Sequence, residues 1–325
     1  MPASTRLGKS LGKWFDPFVA IILATLAIGI LVPFPPFLVQ TFHVLAGIFT
    51  ALLFFLYGAR LRTEEVWRGV KNLKVQLFTL FCTFVMFPIL GLISHPFMGY
   101  VLSERFALGF LFLTLLPSTV QASVSFTSLA GGDIPAAVTA ATISNTLGMF
   151  LTPALVWLLM GQSAGVRLDN FWGVLTHLLL PFILGQLVQP WLGPTLRAHA
   201  AFTKFSDRLT IVFIVAAAVS SATAQGLWSE VTGWNIVALL LAAAVLLSFM
   251  LAFTWFGSAW LGLPRAERIV VLMCGSKKSL ASGLPIAAAI FPTSLTAAVT
   301  IPVLVFHQFQ LVVCAAIARR LGSEK

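Results

Sequence analysis

Charge is what this chain has least of. Asp, Glu, Lys and Arg make up 9% of its 325 residues and hydrophobic residues 59%, where a soluble domain carries about a quarter charged. That balance cannot coat a water-facing surface, so the chain reads as an all-α polytopic membrane protein. Acids are scarcer still, ten against twenty Lys and Arg. Asp16, Glu64, Glu65, Glu104, Asp133, Asp169, Asp207, Glu230, Glu267 and Glu324 all fall at span ends or in loops. With no intramembrane acid pair and no HExxH, an enzyme built on paired carboxylates or zinc is excluded. The three cysteines, Cys82, Cys274 and Cys314, lie inside apolar spans and offer neither a disulfide framework nor metal-ligand spacing. The first apolar run, Phe18–Val32, lacks an A-x-A-like cleavage site and runs into Pro33-Phe34-Pro35-Pro36, so it is expected to stay as a span.

Stretches of about 20 apolar residues suffice to cross a bilayer. They are found at about 15–34, 37–57, 75–98, 106–130, 134–160, 171–191, 209–227, 235–260, 269–290 and 295–318. Ten spans put sixteen of the twenty basic residues on one side and only Arg105 and Arg167 on the other. By the positive-inside rule both termini are then cytoplasmic. The net charge of +10 is accounted for in this way and calls for no nucleic acid. Trp14, Trp157, Trp172, Trp191, Trp228, Trp234 and Trp260 fall near span ends, as an interfacial belt would.

An internal echo suggests how the spans are arranged. The fifth opens Pro135-Ala-Ala-Val138-Thr139-Ala140-Ala141, the tenth Pro292-Thr-Ser-Leu295-Thr296-Ala297-Ala298, and each follows a Ser-rich span. Five spans per copy is an odd number, so the second copy enters from the opposite side. One transmembrane domain, 1–325, is therefore expected to hold two inverted repeats, about 15–160 and 171–318.

The polar residues inside the spans gather at two places. In the fourth span Pro117 removes a backbone donor, and Ser118 and Thr119 stand ready to bond the freed carbonyls or a ligand. Ser118, Gln121, Ser125 and Ser128 fall on one stripe of a helix, either for close helix packing or to line a cavity, and Gln121 favours the cavity. Asn145 supplies a further contact or an interhelical hydrogen bond. His43, His177 and His307 read first as helix-packing hydrogen bonders, and Gln186, Gln189, Gln308 and Gln310 give no ranking.

The second place is Met273–Ala287, MCGSKKSLASGLPIA, where Lys277 and Lys278 stand inside an apolar span. A charge at mid-membrane depth costs from about 3 to 10 or more kcal/mol. Gly275, Ser276, Ser279, Ser282, Gly283 and Pro285 surround the pair, so a helix interrupted at a polar cavity is expected there. The bland alternative is a lysine pair at a helix end, snorkelling to the headgroups. No acid is placed to neutralise the pair. Either the lysines face water and an anion, or burial keeps one of them neutral.

PSTVQASVSFTSLAGGDIPAA in the fourth span and CGSKKSLASGLPIA in the ninth resemble the bile acid:sodium symporter superfamily, in its bacterial SBF-like branch. The resemblance covers essentially the whole chain. It implies ten helices in panel and core domains, with helices four and nine broken and crossing, so that Ser118–Ser123 approach Ser276–Ser279. It also implies a bacterial inner membrane. The sodium-coupled members carry a glutamate and, four residues later, a glutamine on helix nine. Those positions match Met273 and Lys277 here, and their serine–asparagine pair on helix four reads Ser123-Val124. A thioether is a poor ligand for a hard cation, and an ammonium repels one.

The expectation is therefore a secondary transporter for a small organic anion, working by alternating access without sodium, Lys277 taking the ion's place. Ser118, Thr119, Gln121, Ser123, Asn145, Ser276, Lys277, Lys278 and Ser279 would form the substrate and ion site, with Pro117 and Gly275 at the breaks. No cofactor is called for, and sodium is the one metal in question. The competing readings are a sodium-coupled organic-anion symporter, a channel, a regulatory membrane protein, a lysine-based membrane enzyme and a retinal-type photoprotein. Without a counter-ion acid the last two have little to build on.

Overall fold

The computed structural model describes residues 17–61, 72–161, 168–226, 228 and 232–323. Arg6, Lys9, Lys13, Trp14, Arg62, Arg68, Lys71, Arg167 and Lys325, counted above in the charge asymmetry and the aromatic belt, lie outside them. The regular structure of the described residues is all helical, with no strand among them. The helices are α1 (Pro17–Leu31), α2 (Pro36–Arg60), α3 (Leu73–Val101), α4 (Glu104–Leu115), α5 (Gln121–Ala130) and α6 (Ile134–Met160). They continue as α7 (Leu168–Ala198), α8 (Ala200–Ala224), α9 (Gly233–Trp260), α10 (Arg265–Gly275), α11 (Leu280–Ile290) and α12 (Thr293–Ser323).

Local chemistry sets several ends. Asp133 caps α6 by accepting the Ala136 N–H at 2.9 Å. Thr232 caps α9 and Ser279 caps α11 in the same way. Gly131 ends α5 at φ 74°, a left-handed turn that a side chain would strain. Both copies of the repeated opening start a helix: Pro135 lies in the first turn of α6, and Pro292 immediately precedes α12.

Seven stretches are long and apolar enough to span a membrane: α2, α3, α6, α8, α9, the α10–α11 run and α12. A count of ten needs α1, the α4–α5 pair and α7 as well, which fall outside that measure among the described residues. The reason is length for α1, α4 and α5, which have 15, 12 and 10 residues. Large apolar side chains stand exposed over the outside, among them Leu31, Leu158, Val245, Phe256 and Trp260. Such a surface suits lipid and not water.

The helices pack in two groups. α2 lies against α7 and α8, and α8 against α1. In the other group α12 packs on α4, α5, α9 and α11, and α10 on α3, α5, α6 and α9. The groups meet where α2, α7 and α8 touch α11, α7 touches α6 and α8 touches α12. The α10–α11 run is 94% buried over its most apolar window, against 33–61% for the other six stretches. The lysine pair thus lies on the most enclosed of these seven stretches.

Candidate functional site

Three helices lose their regular hydrogen bonding at one place, and proline accounts for two of the losses. α3 widens into a π turn over Cys82–Met86, where the Phe87 N–H bonds back to Cys82 O. One residue on, Pro88 has no N–H to give to Thr83, whose carbonyl is left without its helical partner. In the fourth span α4 ends at Leu115, Leu116-Pro117-Ser118-Thr119 run without helix, and α5 starts at Gln121. In the ninth α10 ends at Gly275 and α11 starts at Leu280, leaving Ser276–Ser279 between them.

The two gaps lie against each other and satisfy each other's backbone. Ser118 Oγ donates to Cys274 O at 2.5 Å and Ser123 Oγ to Met273 O at 2.8 Å. In return the Ser279 N–H donates to Pro117 O at 2.8 Å. From α6, Thr152 Oγ1 donates to Leu115 O and Ser144 Oγ accepts the Ser118 N–H. Each buried carbonyl left without a donor would cost about 1–3 kcal/mol, so this reciprocity is what lets two helices stop inside an apolar core. It also needs close approach. A Cβ on Gly148 of α6 would come within 2.5 Å of the Pro117 ring.

The lysines, adjacent in sequence, have different surroundings. Lys278 Nζ donates to Thr83 O at 2.8 Å and to Leu116 O at 2.6 Å, the carbonyls freed by the π turn and by the break in the fourth span. It lies 4.1 Å from the Phe87 ring centroid, a further stabilisation of a cation. Its backbone is held as firmly: Gln310 Oε1 accepts the Lys278 N–H at 2.9 Å, and Gln310 Nε2 donates to Lys278 O at 2.7 Å. The second Nε2 proton goes to His307 Nδ1 at 2.9 Å. Nδ1 is therefore the acceptor, and the ring proton belongs on Nε2. Lys277 is equally buried, yet its Nζ has no hydrogen-bond partner. It faces the Phe126 ring at 4.5 Å, beside Cys274 and Cys314.

Of the site residues expected from sequence, Ser118, Thr119, Ser123, Ser276, Lys277, Lys278 and Ser279 converge on this crossing and are all buried. Thr119 Oγ1 and Ser123 Oγ are hydrogen-bonded to each other, and Ser276 Oγ donates within its own turn to Leu272 O. Asn145 is at the edge, accepting from Ser282 Oγ at 2.5 Å. Gln121 is exposed, as are Ser125 and Ser128. The stripe drawn through Ser118 assumed one continuous helix. Because α5 begins only at Gln121, Ser118 is not in phase with the others, and the inward face of α5 carries Ser123 and Thr127. Two expectations for the lysines also change. Lys278 turns two donors to main-chain oxygen and not to an open cavity, and it is Lys278, not Lys277, whose side-chain nitrogen sits among oxygen ligands.

Sequence reading missed Thr83, Phe87, Ser144, Thr152 and Phe126, and left Gln310 unranked. For Gln310 a signal was available, since His307 and Gln310 are three apart and share one helix face. A cation site needs oxygen donors free to turn to it. Here the two carbonyls are taken by the Lys278 side-chain nitrogen and the Met273 side chain lies in an apolar cluster with Leu272 and Cys314. The residues present do not fit a sodium ion at that place.

Away from the crossing, a cavity of about 530 Å³ opens between the two helix groups. Its walls are His43 and Thr50 of α2, His177 of α7, Ala217 of α8 and the Ile290–Thr296 link from α11 into α12. His43 Nε2 and Ser221 Oγ are hydrogen-bonded at 2.7 Å, while the buried Thr50 hydroxyl has no protein partner.

Enclosed, interrupted helices that exchange backbone hydrogen bonds, beside a cavity between two helix groups, define the transporter class of integral membrane proteins. The chain belongs to the SBF-like CPA transporter family, which matches residues 16–323. It is 39% identical to "Uncharacterized protein PA2026" of Pseudomonas aeruginosa over 95% of this chain and 94% of that one. It is 37% identical to "Putative symporter YfeH" of Escherichia coli, over 94% and 92%. At 23% identity over 83% and 80% it is also similar to "Sodium/bile acid cotransporter 7" of Xenopus tropicalis.

Proposed function

We propose that the chain is a secondary transporter that carries a small organic anion by alternating access and does not use sodium. α1, α2, α7 and α8 serve as the panel, and α3–α6 with α9–α12 as the core, in two inverted repeats of five spans. The observation that carries this reading is the cavity between the two groups, next to the break-bearing α11 and the first turn of α12. An anion there meets the positive end of the α12 dipole, the free Thr50 hydroxyl and the ring nitrogens of His43 and His177. A protonated Lys278 supports it from behind, with positive potential in a medium of low dielectric. The membrane is the bacterial inner membrane, with both termini cytoplasmic.

Sodium independence follows from Lys278. Its ammonium is bonded to the two freed carbonyls as an imported cation would be, and being covalently tethered it is never released. The test starts with a thermal-shift screen of purified protein over carboxylates and sulfates. Uptake of the best stabiliser into proteoliposomes is then measured. Saturation and counterflow are expected; linear uptake without counterflow would mean a channel, and no uptake a non-transporting protein. A relative's name includes sodium, so the same uptake in choline medium separates this reading from sodium symport.

A further inference from the structure

We infer that the Lys277 side-chain nitrogen is the proton-binding site of this protein, neutral in the closed arrangement described here and protonated when the crossing opens to water. The inference rests on the transporter reading for its place in a cycle, and on the contrast with Lys278 for its chemistry. Lys278 has what a buried cation needs, two carbonyl oxygens that can only accept and an aromatic face. Lys277 has the aromatic face alone. A ring face compensates only a small part of the hydration that an ammonium loses on burial. A neutral amine loses far less. The enclosed site therefore selects the amine, and whatever hydrates Nζ selects the ammonium. Protonation and opening are one linked equilibrium: each favours the other by the same factor.

The groups around Nζ leave no other resident to hold the charge. Facing it are Phe126 from α5, Cys274 from α10 and Cys314 from α12. His307 of α12 is also within electrostatic reach, its Nδ1 already occupied by Gln310. On the α9 side Trp255 closes the cluster, and Arg268 is stacked over its outer face at 4.1 Å. Neighbouring Lys278 adds a like charge. Among the described residues no acidic side chain is paired with Lys277; the one ion pair there joins Arg60 and Asp207. A proton taken from water on one side, as the crossing opens, would be returned on the other when it closes there and the amine is squeezed dry again.

Two native thiols report on this without any transported substrate. Cys274 and Cys314 are buried beside Nζ, so alkylation must wait for the crossing to open. The probe is N-ethylmaleimide, applied to wild-type protein in liposomes between pH 6 and 8.5. Labelling of each cysteine is quantified by peptide mass spectrometry and divided by the rate for glutathione at the same pH. The corrected rate should rise as pH falls, by up to about tenfold per unit where one proton governs opening. Uncorrected thiol chemistry runs the other way. In Lys277→Met the rise should vanish. In Lys277→Arg, always charged, the rate should be high at every pH. A flat wild-type profile, or a rise that survives in Lys277→Met, overturns the inference, and the wild-type arm needs no variant to fold. Counterflow with a flat labelling profile would remove the proton site alone. A labelling rise without counterflow would remove the carrier reading and leave a proton-driven opening.

Discussion

At the scale of single residues, the two lysines invite opposite predictions although both are buried. Lys278→Met withdraws the donor from Thr83 O and Leu116 O. Two orphaned carbonyls at about 1–3 kcal/mol each should lower the unfolding midpoint of purified protein clearly, even after allowing for the relief of a buried charge. Lys277→Met withdraws nothing from any partner, and replacing an uncompensated buried ionisable group by an apolar one is often neutral or stabilising. Its midpoint should stay or rise. If Lys277→Met proves the more damaging of the two, their environments have been assigned the wrong way round. Gln310 belongs with Lys278, because its amide satisfies both backbone groups of that residue. Gln310→Leu should destabilise by a few kcal/mol, because it removes the acceptor of the Lys278 N–H and both bonds that Nε2 donates.

At the scale of elements, the broken spans depend on fit as much as on hydrogen bonds. Gly148→Val would drive a branched side chain into the Pro117 ring, already 2.5 Å from where a Cβ would stand. A loss of about 1–3 kcal/mol is expected from such overpacking, read as a fall in the unfolding midpoint; an unchanged midpoint would mean that α6 does not brace the fourth span. Both interruptions were legible because Pro117 and the Gly275-Ser276 pair are local breakers that act on their own chain. The partners of the freed groups were not legible. Thr83 became an acceptor only because a π turn and Pro88 coincide on α3, and the docking of Lys278 onto it depends on tertiary packing that no spacing records. The stripe on α5 failed for a related reason: counting residues through a break loses the helical phase.

At the scale of the whole molecule, composition alone gave a membrane protein, since 9% charge leaves no other surface. The grouping of α1, α2, α7 and α8 apart from the rest could not be read from the sequence, because the apolar faces that sort the two groups look alike to lipid and to a neighbouring helix. The cavity between the groups is where alternating access would act. Filling it should therefore stop transport without unfolding the protein. Ala217→Phe on α8, with Ala217 already buried in the cavity wall, should abolish counterflow while size-exclusion behaviour is retained.

The claim that binds these scales is that the protein's own ammonium occupies the place among freed carbonyls that an imported cation would otherwise take. It is tested most directly on purified wild-type protein by measuring the unfolding midpoint in sodium, potassium and choline chloride at equal ionic strength. A ligand at ten times its dissociation constant stabilises by about 1.4 kcal/mol, an easily measured shift. The account predicts three superimposable curves. A saturable rise specific to sodium would contradict it.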